Sequence, residues 1–298
     1  MKNIILLVVS LMAAATVSVG RKYYSNKING SFTDIFIFNA ACSGLSAVIL
    51  AFWGIESVSL FTLLFGIAFG LITASQYLST LKALQMGPMS YTNIIVSFSM
   101  VIPAVSGALL YGETLGVSRI VGVLLTLVSF VMAVEKDRTS RKANAKWLLL
   151  CLAAFLGTGG IGVMQKIHQN SPYRGELNAF LVIAFVVSFV FSATLAVVYA
   201  KKSGKCILKE NLKKREGYFM LICIALTGVG VALNNKFNLY LSGVMDSAVF
   251  FPVVNGVGIM LSTAAAVILF KEKLTKKQWL GIVVGILAVI CLCNPLGI

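Results

Sequence analysis

Leu177-Asn-Ala-Phe-Leu-Val-Ile-Ala-Phe-Val-Val-Ser-Phe-Val-Phe-Ser-Ala-Thr-Leu-Ala-Val-Val-Tyr-Ala200 runs for 24 residues without a charged side chain. The hydrocarbon core of a bilayer takes about 20 apolar residues of helix, so this stretch is long enough to cross. Similar runs on both sides of it fill nearly all of the 298 residues. Ten spans are predicted: Ile4–Gly20, Asp34–Trp53, Leu60–Leu84, Tyr91–Tyr111, Val117–Val134, Trp147–Ile167, Leu177–Ala200, Tyr218–Leu241, Ser247–Phe270 and Gln278–Cys293. A mean hydropathy of +0.92 with 12% charged residues leaves little chain for a soluble domain. The expected fold is therefore an all-α integral membrane protein of ten transmembrane helices.

The net charge of +15 would point to nucleic acid in a soluble protein. Here its placement points to a membrane. Of 25 Lys and Arg, 20 lie in or beside alternate connections: Arg21, Lys22 and Lys27; Lys82; Lys136 to Lys146; seven from Lys201 to Arg215; and Lys271 to Lys277. The opposite face has Lys2, Arg119 and Arg174, and Lys166 and Lys236 fall inside spans. Positive residues in short loops stay cytoplasmic, so the bias places both termini outside a cell (plasma) membrane. No nucleic-acid partner is expected, because the charge is spread over five loops. The first twenty residues imitate a secretory signal, but basic residues follow the apolar core, which fits a retained helix better.

Cys291-Leu-Cys293 has no nearby His or acidic partner, and His168 is the chain's one histidine. No metal or other cofactor is expected, and His168 is read as a solvated interfacial residue.

The hydrophilic linker at 135–146 divides the spans into five plus five, residues 1–134 and 147–298. A shift of 159 residues lays Leu110-Tyr-Gly-Glu113-Thr-Leu115 on Leu269-Phe-Lys-Glu272-Lys-Leu274 and Gly122 on Gly281. Five is odd, so the second copy enters the membrane upside down. Inverted repeats are an architecture of secondary transporters, with substrate held near mid-membrane. The paired motif, from Pro103 to Leu127 and from Pro252 to Leu287, resembles the drug/metabolite transporter superfamily, EamA type. That resemblance implies a central cavity lined by spans 1–4 and 6–9, and transport without ATP. One departure stands out. Such proteins usually carry basic residues after span 2, with cytoplasmic termini, whereas Gly54-Ile-Glu-Ser-Val-Ser59 has none.

Polar groups inside a membrane are costly, roughly 2.5–3.5 kcal/mol for a central Lys on insertion scales, and so are functional candidates. Span 8 holds Asn234, Asn235, Lys236 and Asn238. Asn234 and Asn238 share a helix face at i, i+4, where amides can join helices instead of binding ligand. Lys236 either meets a substrate or snorkels to the interface. The repeat sets Gln76 on Asn235 and Tyr77 on Lys236. Gln165, Asn93 and Asn255 complete the candidate substrate-binding set, Asn93 also being placed to cap span 4. Lys166 reads as interfacial. Ala232-Leu-Asn-Asn-Lys236 faintly resembles the Gly-Ala-Leu-Asn-Lys element of nucleotide-sugar transporters, which implies recognition of an anionic group.

All ten acidic residues fall at span ends or in loops, and Glu113 and Glu272 are assigned to shaping the turns before spans 5 and 10. Without a mid-membrane carboxylate, proton-coupled export of cationic drugs is disfavoured. Gly66-x-x-x-Gly70 and Gly281-x-x-x-Gly285 allow close helix approach, within the chain or in a homodimer. The basic stretch from Lys201 to Arg215 is suited to anionic lipid headgroups. The sequence thus favours alternating-access transport of a small polar metabolite, an amino acid or organic anion above others. The first rival is an exporter of lipophilic or cationic compounds using Tyr77, Tyr91 and Phe250. A remote rival is a lipid-handling membrane enzyme, for which the clustered His and acidic residues are lacking. If the charge bias is right, alkaline phosphatase fused after Ile298 is active and the same enzyme inserted at Lys205 is inactive; the reverse pattern would invert the orientation.

Overall fold

The computed structural model describes residues 2–27, 32–55, 57–86, 92, 95–113, 116–133, 145–203, 216–270 and 275–293. The linker at 135–146 lies almost wholly outside these residues, as do Asn93, Tyr91, Glu272 and most of the basic stretch after span 7. The described chain is helical: α1 (Lys2–Lys27), α2 (Phe32–Phe52), α3 (Leu60–Met86), α4 (Val101–Tyr111, entered through a 3-10 turn at Phe98–Met100), α5 (Val117–Ala133), α6 (Ala145–Gln169), α7 (Leu177–Ser203), α8 (Glu216–Val244), α9 (Ser247–Phe270) and α10 (Lys276–Cys293). A helix satisfies its own backbone, which an apolar surrounding demands. Six are long and apolar enough to cross a membrane, within α1, α2, α3, α6, α7 and α8. Shorter apolar helices cover Ile95–Tyr111, Val117–Met132 and Ser247–Gly258.

The helices form two compact units that do not follow the halves of the sequence. One comprises Met1–Ala74 and Pro172–Asn238, the other Ser75–Ser171 and Leu239–Ile298. Each draws on both halves, and α3 and α8 each contribute to both units.

In the first unit α2 packs along α7. The contact is close because small and hydroxyl-bearing residues face it: the hydroxyls of Ser43 and Ser188 are 3.3 Å apart, and Asn39 donates to Ser192 Oγ at 2.8 Å. Gly66 and Gly70 bring α3 against α7, where a Cβ on Gly70 would stand 2.5 Å from the Ala184 carbonyl oxygen. In the second unit α5 packs along α10. There Ser118 donates to the Cys291 carbonyl at 2.6 Å and Ser129 to that of Gly281 at 2.7 Å. A Cβ on Gly285 would fall 2.8 Å from Ser129 Oγ. Both glycine pairs singled out in the sequence therefore serve packing within the chain.

Glu176 ties two helix starts together in the first unit. Its carbonyl accepts from Phe180 N at 2.9 Å, opening α7. Its carboxylate accepts from the amide and hydroxyl of Ser59, at 3.0 and 2.7 Å, and from the Ser57 hydroxyl at 3.3 Å. Ser59 itself caps α3, its hydroxyl accepting from Thr62 N at 3.2 Å. The Thr62 hydroxyl makes no hydrogen bond of good geometry, yet is the largest influence on the carboxyl. With Ser59 and Ser57 it outweighs desolvation and holds Glu176 down to about 2 from an ordinary 4.5. The lowered value means that this carboxylate stabilises the fold fully above pH 4.5 and ceases to as pH falls through 2. Glu176→Gln in detergent should therefore melt below the wild type at pH 7, with the difference closing across that acid window; a difference independent of pH would exclude the carboxylate's charge as its source.

Candidate functional site

Span 8 divides its polar residues between two tasks. Asn234 and Asn238 close a ring with Ser10 of α1. The Ser10 hydroxyl donates to Asn238 Oδ1 at 2.6 Å, Asn238 Nδ2 donates to Asn234 Oδ1 at 3.3 Å, and Asn234 Nδ2 reaches Ser10 O at 3.0 Å and Ser10 Oγ at 3.1 Å. The ring joins α1 to α8. Ser10, which the sequence reading did not single out, is fully buried at its centre.

Asn235 behaves differently, and so do Gln76 and Asn255. Each anchors its amide nitrogen on its own helix: Asn235 Nδ2 on Val231 O at 2.9 Å, Asn255 Nδ2 on Phe251 O at 2.8 Å, and Gln76 Nε2 on Thr80 Oγ1 at 3.1 Å. Among the described residues no partner takes the side-chain oxygen of any of the three. All three are half-buried. An amide held this way presents a fixed acceptor and a second N–H. Asn235 belongs to the first unit, and Gln76, Tyr77, Gln165 and Asn255 to the second. Gln76 sits where α3 meets α6 closely, a Cβ on Gly157 falling 2.8 Å from its own Cβ. Tyr77 is half-buried and Gln165 is buried. Phe250 is packed edge-on against Phe251 at 5.0 Å, and is 1% exposed.

Lys236 is half-buried, its ammonium 3.9 Å from the centroid of the Trp53 ring. That is a cation–π contact. Trp53, in the turn after α2, is 47% exposed. Two apolar grooves of about 360 and 370 Å³ flank α8 and α7, lined chiefly by aliphatic residues such as Met12, Leu226 and Leu233, or Leu71, Val186 and Leu195. They suit acyl chains and not a polar solute.

Two expectations are corrected in the second unit. Lys166 is 5% exposed and paired with Glu113, Nζ to Oε1 at 2.6 Å. It is not an interfacial side chain. His168 is fully buried beside Gln169, with Nδ1 3.2 Å from Gln169 Nε2, and so is not solvated. The pairing follows from local backbone geometry. Gly112 closes α4 in the left-handed region, φ 64°, and Glu113 N donates back to the Gly107 carbonyl at 3.3 Å. This folds Glu113 over α4, into space that only glycine leaves: a Cβ on Gly107 would meet the Glu113 carboxylate and stand 2.5 Å from Ser247 Cβ. The carboxylate then takes Ser247 N at 2.6 Å and Ser247 Oγ at 3.3 Å, at the start of α9. Lys166 Nζ also donates to Met245 O at 2.9 Å, just beyond the end of α8. Arg119 holds Asp246 at 2.7 Å. Glu113 was expected to shape the turn before span 5; its carboxylate instead holds the junction of α8 and α9. The signal available in the sequence was the cluster of Glu113, Arg119, Lys166 and Asp246 at span ends on one face.

No family model matches the chain. A protein of Haemophilus influenzae with no assigned function is 24% identical over 237 residues, 76% of this chain and 74% of that one. A protein of Lactiplantibacillus plantarum, whose name provisionally assigns it to sugar uptake, is 25% identical over 252 residues, 81% of each chain. A solved crystal structure shares the fold with a TM-score of 0.74 at 12% identity, over 97% of this chain and 96% of that one. With six membrane-length apolar helices among the described residues, the chain is a multi-pass helical membrane protein.

Removing one member of a buried pair strands the other charge, at a cost of about 3–5 kcal/mol, whereas neutralising both can cost little. Glu113→Gln and Lys166→Met should each lower the detergent melting temperature sharply. The double variant Glu113→Gln/Lys166→Met should melt above the worse single variant; additive losses would mean that the two groups act separately.

Proposed function

We propose that this chain is a secondary transporter of the drug/metabolite superfamily, EamA type, which moves a small neutral polyhydroxylated solute of sugar size across the cell membrane by alternating access. The observation that carries the solute class is that Gln76, Asn235 and Asn255 each leave a side-chain oxygen unclaimed among the described residues. Each of these amides, taken by itself, is steadied on its own helix and leaves an oxygen acceptor for an O–H donor, of which a sugar offers several. The name of the Lactiplantibacillus plantarum relative, which refers to sugar uptake, agrees with this reading.

The ten-span, inverted-repeat architecture is part of the proposal. Span 2 and span 7 are equivalents under the repeat, as are span 5 and span 10, and in each case the described helices pack on one another. Mates related by a two-fold axis between repeats meet in this way. Gln76 and Asn235, equivalent under the same shift, are both amides bonded within their own helices, Gln76 to the Thr80 hydroxyl and Asn235 to the Val231 carbonyl. Lys/Arg bias places both termini outside, and lipids are the constant partners of the apolar faces.

The intramembrane lysines argue against an anion as first choice. Lys166 is neutralised by Glu113, and Lys236 rests on an indole ring. The organic-anion or amino-acid reading keeps one support, the charge of Lys236 itself. Tryptophan can also stack on the apolar face of a sugar ring, so Trp53 serves either reading. A thermal-shift screen of the purified protein against hexoses, pentoses, polyols, amino acids and organic acids separates them. A ligand at 100 times its Kd stabilises the fold by about 2.7 kcal/mol. Sugars or polyols should raise the melting temperature of the wild type and of Lys236→Met, and fail with Asn235→Leu. Stabilisation by acids alone, lost in Lys236→Met, would replace the proposal with the anion reading.

A further inference from the structure

The junction between α8 and α9 is built around a cation. The carboxyl end of α8 presents the Met245 carbonyl, where a helix dipole favours positive charge. The amino end of α9 presents Ser247 N, where it favours negative charge, and the Glu113 carboxylate occupies that place at 2.6 Å. Between them stands the Lys166 ammonium, 2.6 Å from the carboxylate and 2.9 Å from the carbonyl. The ring of Tyr111 lies 5.8 Å away, on the same ammonium. A carboxylate, a main-chain carbonyl at a helix end and a nearby hydroxyl, that of Ser247, are oxygen donors of the kind that hold alkali cations at broken helices in transporters. Lys166 and Glu113 side chains are only 6% and 8% exposed, so the charge is held away from water and its partner cannot be left alone.

We infer that this junction is a monovalent-cation site whose cation is built into the chain as the Lys166 ammonium. The place that a free sodium ion or a small primary ammonium could fill is already taken, through a side chain anchored in α6. No cation is therefore taken up or released here as the protein works, and any ion coupling must arise at another position. The inference does not depend on which solute is carried, and it holds or fails by measurements made without substrate.

Lys166→Ala removes the tethered cation, leaves Glu113, and opens the space of the lysine stem. Melting temperatures of the purified protein would be compared in sodium chloride, ethylammonium chloride and tetramethylammonium chloride at equal ionic strength. Tetramethylammonium has no N–H and is too bulky for the gap. In Lys166→Ala, sodium or ethylammonium should restore at least half of the lost melting temperature relative to tetramethylammonium. The wild type should not distinguish the three salts, and neither should Glu113→Gln/Lys166→Ala, which has lost the anion. Equal melting of Lys166→Ala in all three salts would overturn the inference, as would an equal response of the double variant. Should Lys166→Ala fail to fold in every salt, sodium and ethylammonium included, while Glu113→Gln/Lys166→Ala folds, the pair is an ordinary buried ion pair whose place no free cation fills, and the inference is overturned. Failure of both variants in every salt would show that the bulk of Lys166 matters and its charge does not, and would overturn it.

Discussion

Everything in this protein follows from the cost of a polar group that has no water to turn to. A helix solves that problem for the backbone, which is why the described chain is almost entirely helical. It leaves the side chains to find partners in one another. They do so in small closed groups: Ser10 with Asn234 and Asn238, Ser43 with Ser188, Ser59 with Glu176, and Glu113 with Lys166 and Ser247. Polar bonds between lipid-embedded helices contribute only modestly each, but leaving one member alone costs more. The groups therefore fix which helices touch. Glycines then set how closely they approach, as Gly70 does for α3 and α7.

Against that background Gln76, Asn235 and Asn255 are distinctive because they are only partly satisfied. Their nitrogens are bonded within their own helices and their oxygens are not claimed among the described residues. Asn234 and Asn238, which flank Asn235 in the same helix, have surrendered both functions to packing. A stretch of four polar residues in one span thus splits by helix face into glue and candidate site, and the i, i+4 spacing is what makes the split.

Much of this was legible in advance. Length and hydropathy gave the helices, and the bounds of α7, α9 and α10 lie close to those read from apolar runs. The facing of Asn234 and Asn238 followed from helical period. What could not be read was which partners would meet across long sequence separations. Asn234 reaches Ser10 over 224 residues, and neither periodicity nor local motif reports such a distance. Lys166 and His168 were misjudged for the same reason. Both lie near the end of a hydropathic run, and hydropathy cannot distinguish an end that meets water from one covered by a neighbouring turn. Gly107 carried no sequence signal at all, because the need for an absent side chain is known only once Glu113 has been folded back over it.

The pairing of α2 with α7 also bears on how the chain is made. Ser43 and Ser188 are separated by 145 residues. At synthesis rates of about 5–20 residues per second, α2 enters the membrane on the order of ten seconds before its partner exists. Throughout that interval its hydroxyls face lipid or bond back to their own helix, as Ser46 does to the Cys42 carbonyl at 2.8 Å. Serine tolerates this wait, since it can hydrogen-bond alone and exchange partners later, whereas a charged residue at the same place would have no such refuge. The choice of hydroxyls for the α2–α7 seam is thus suited to the order of birth of its helices as well as to their final packing.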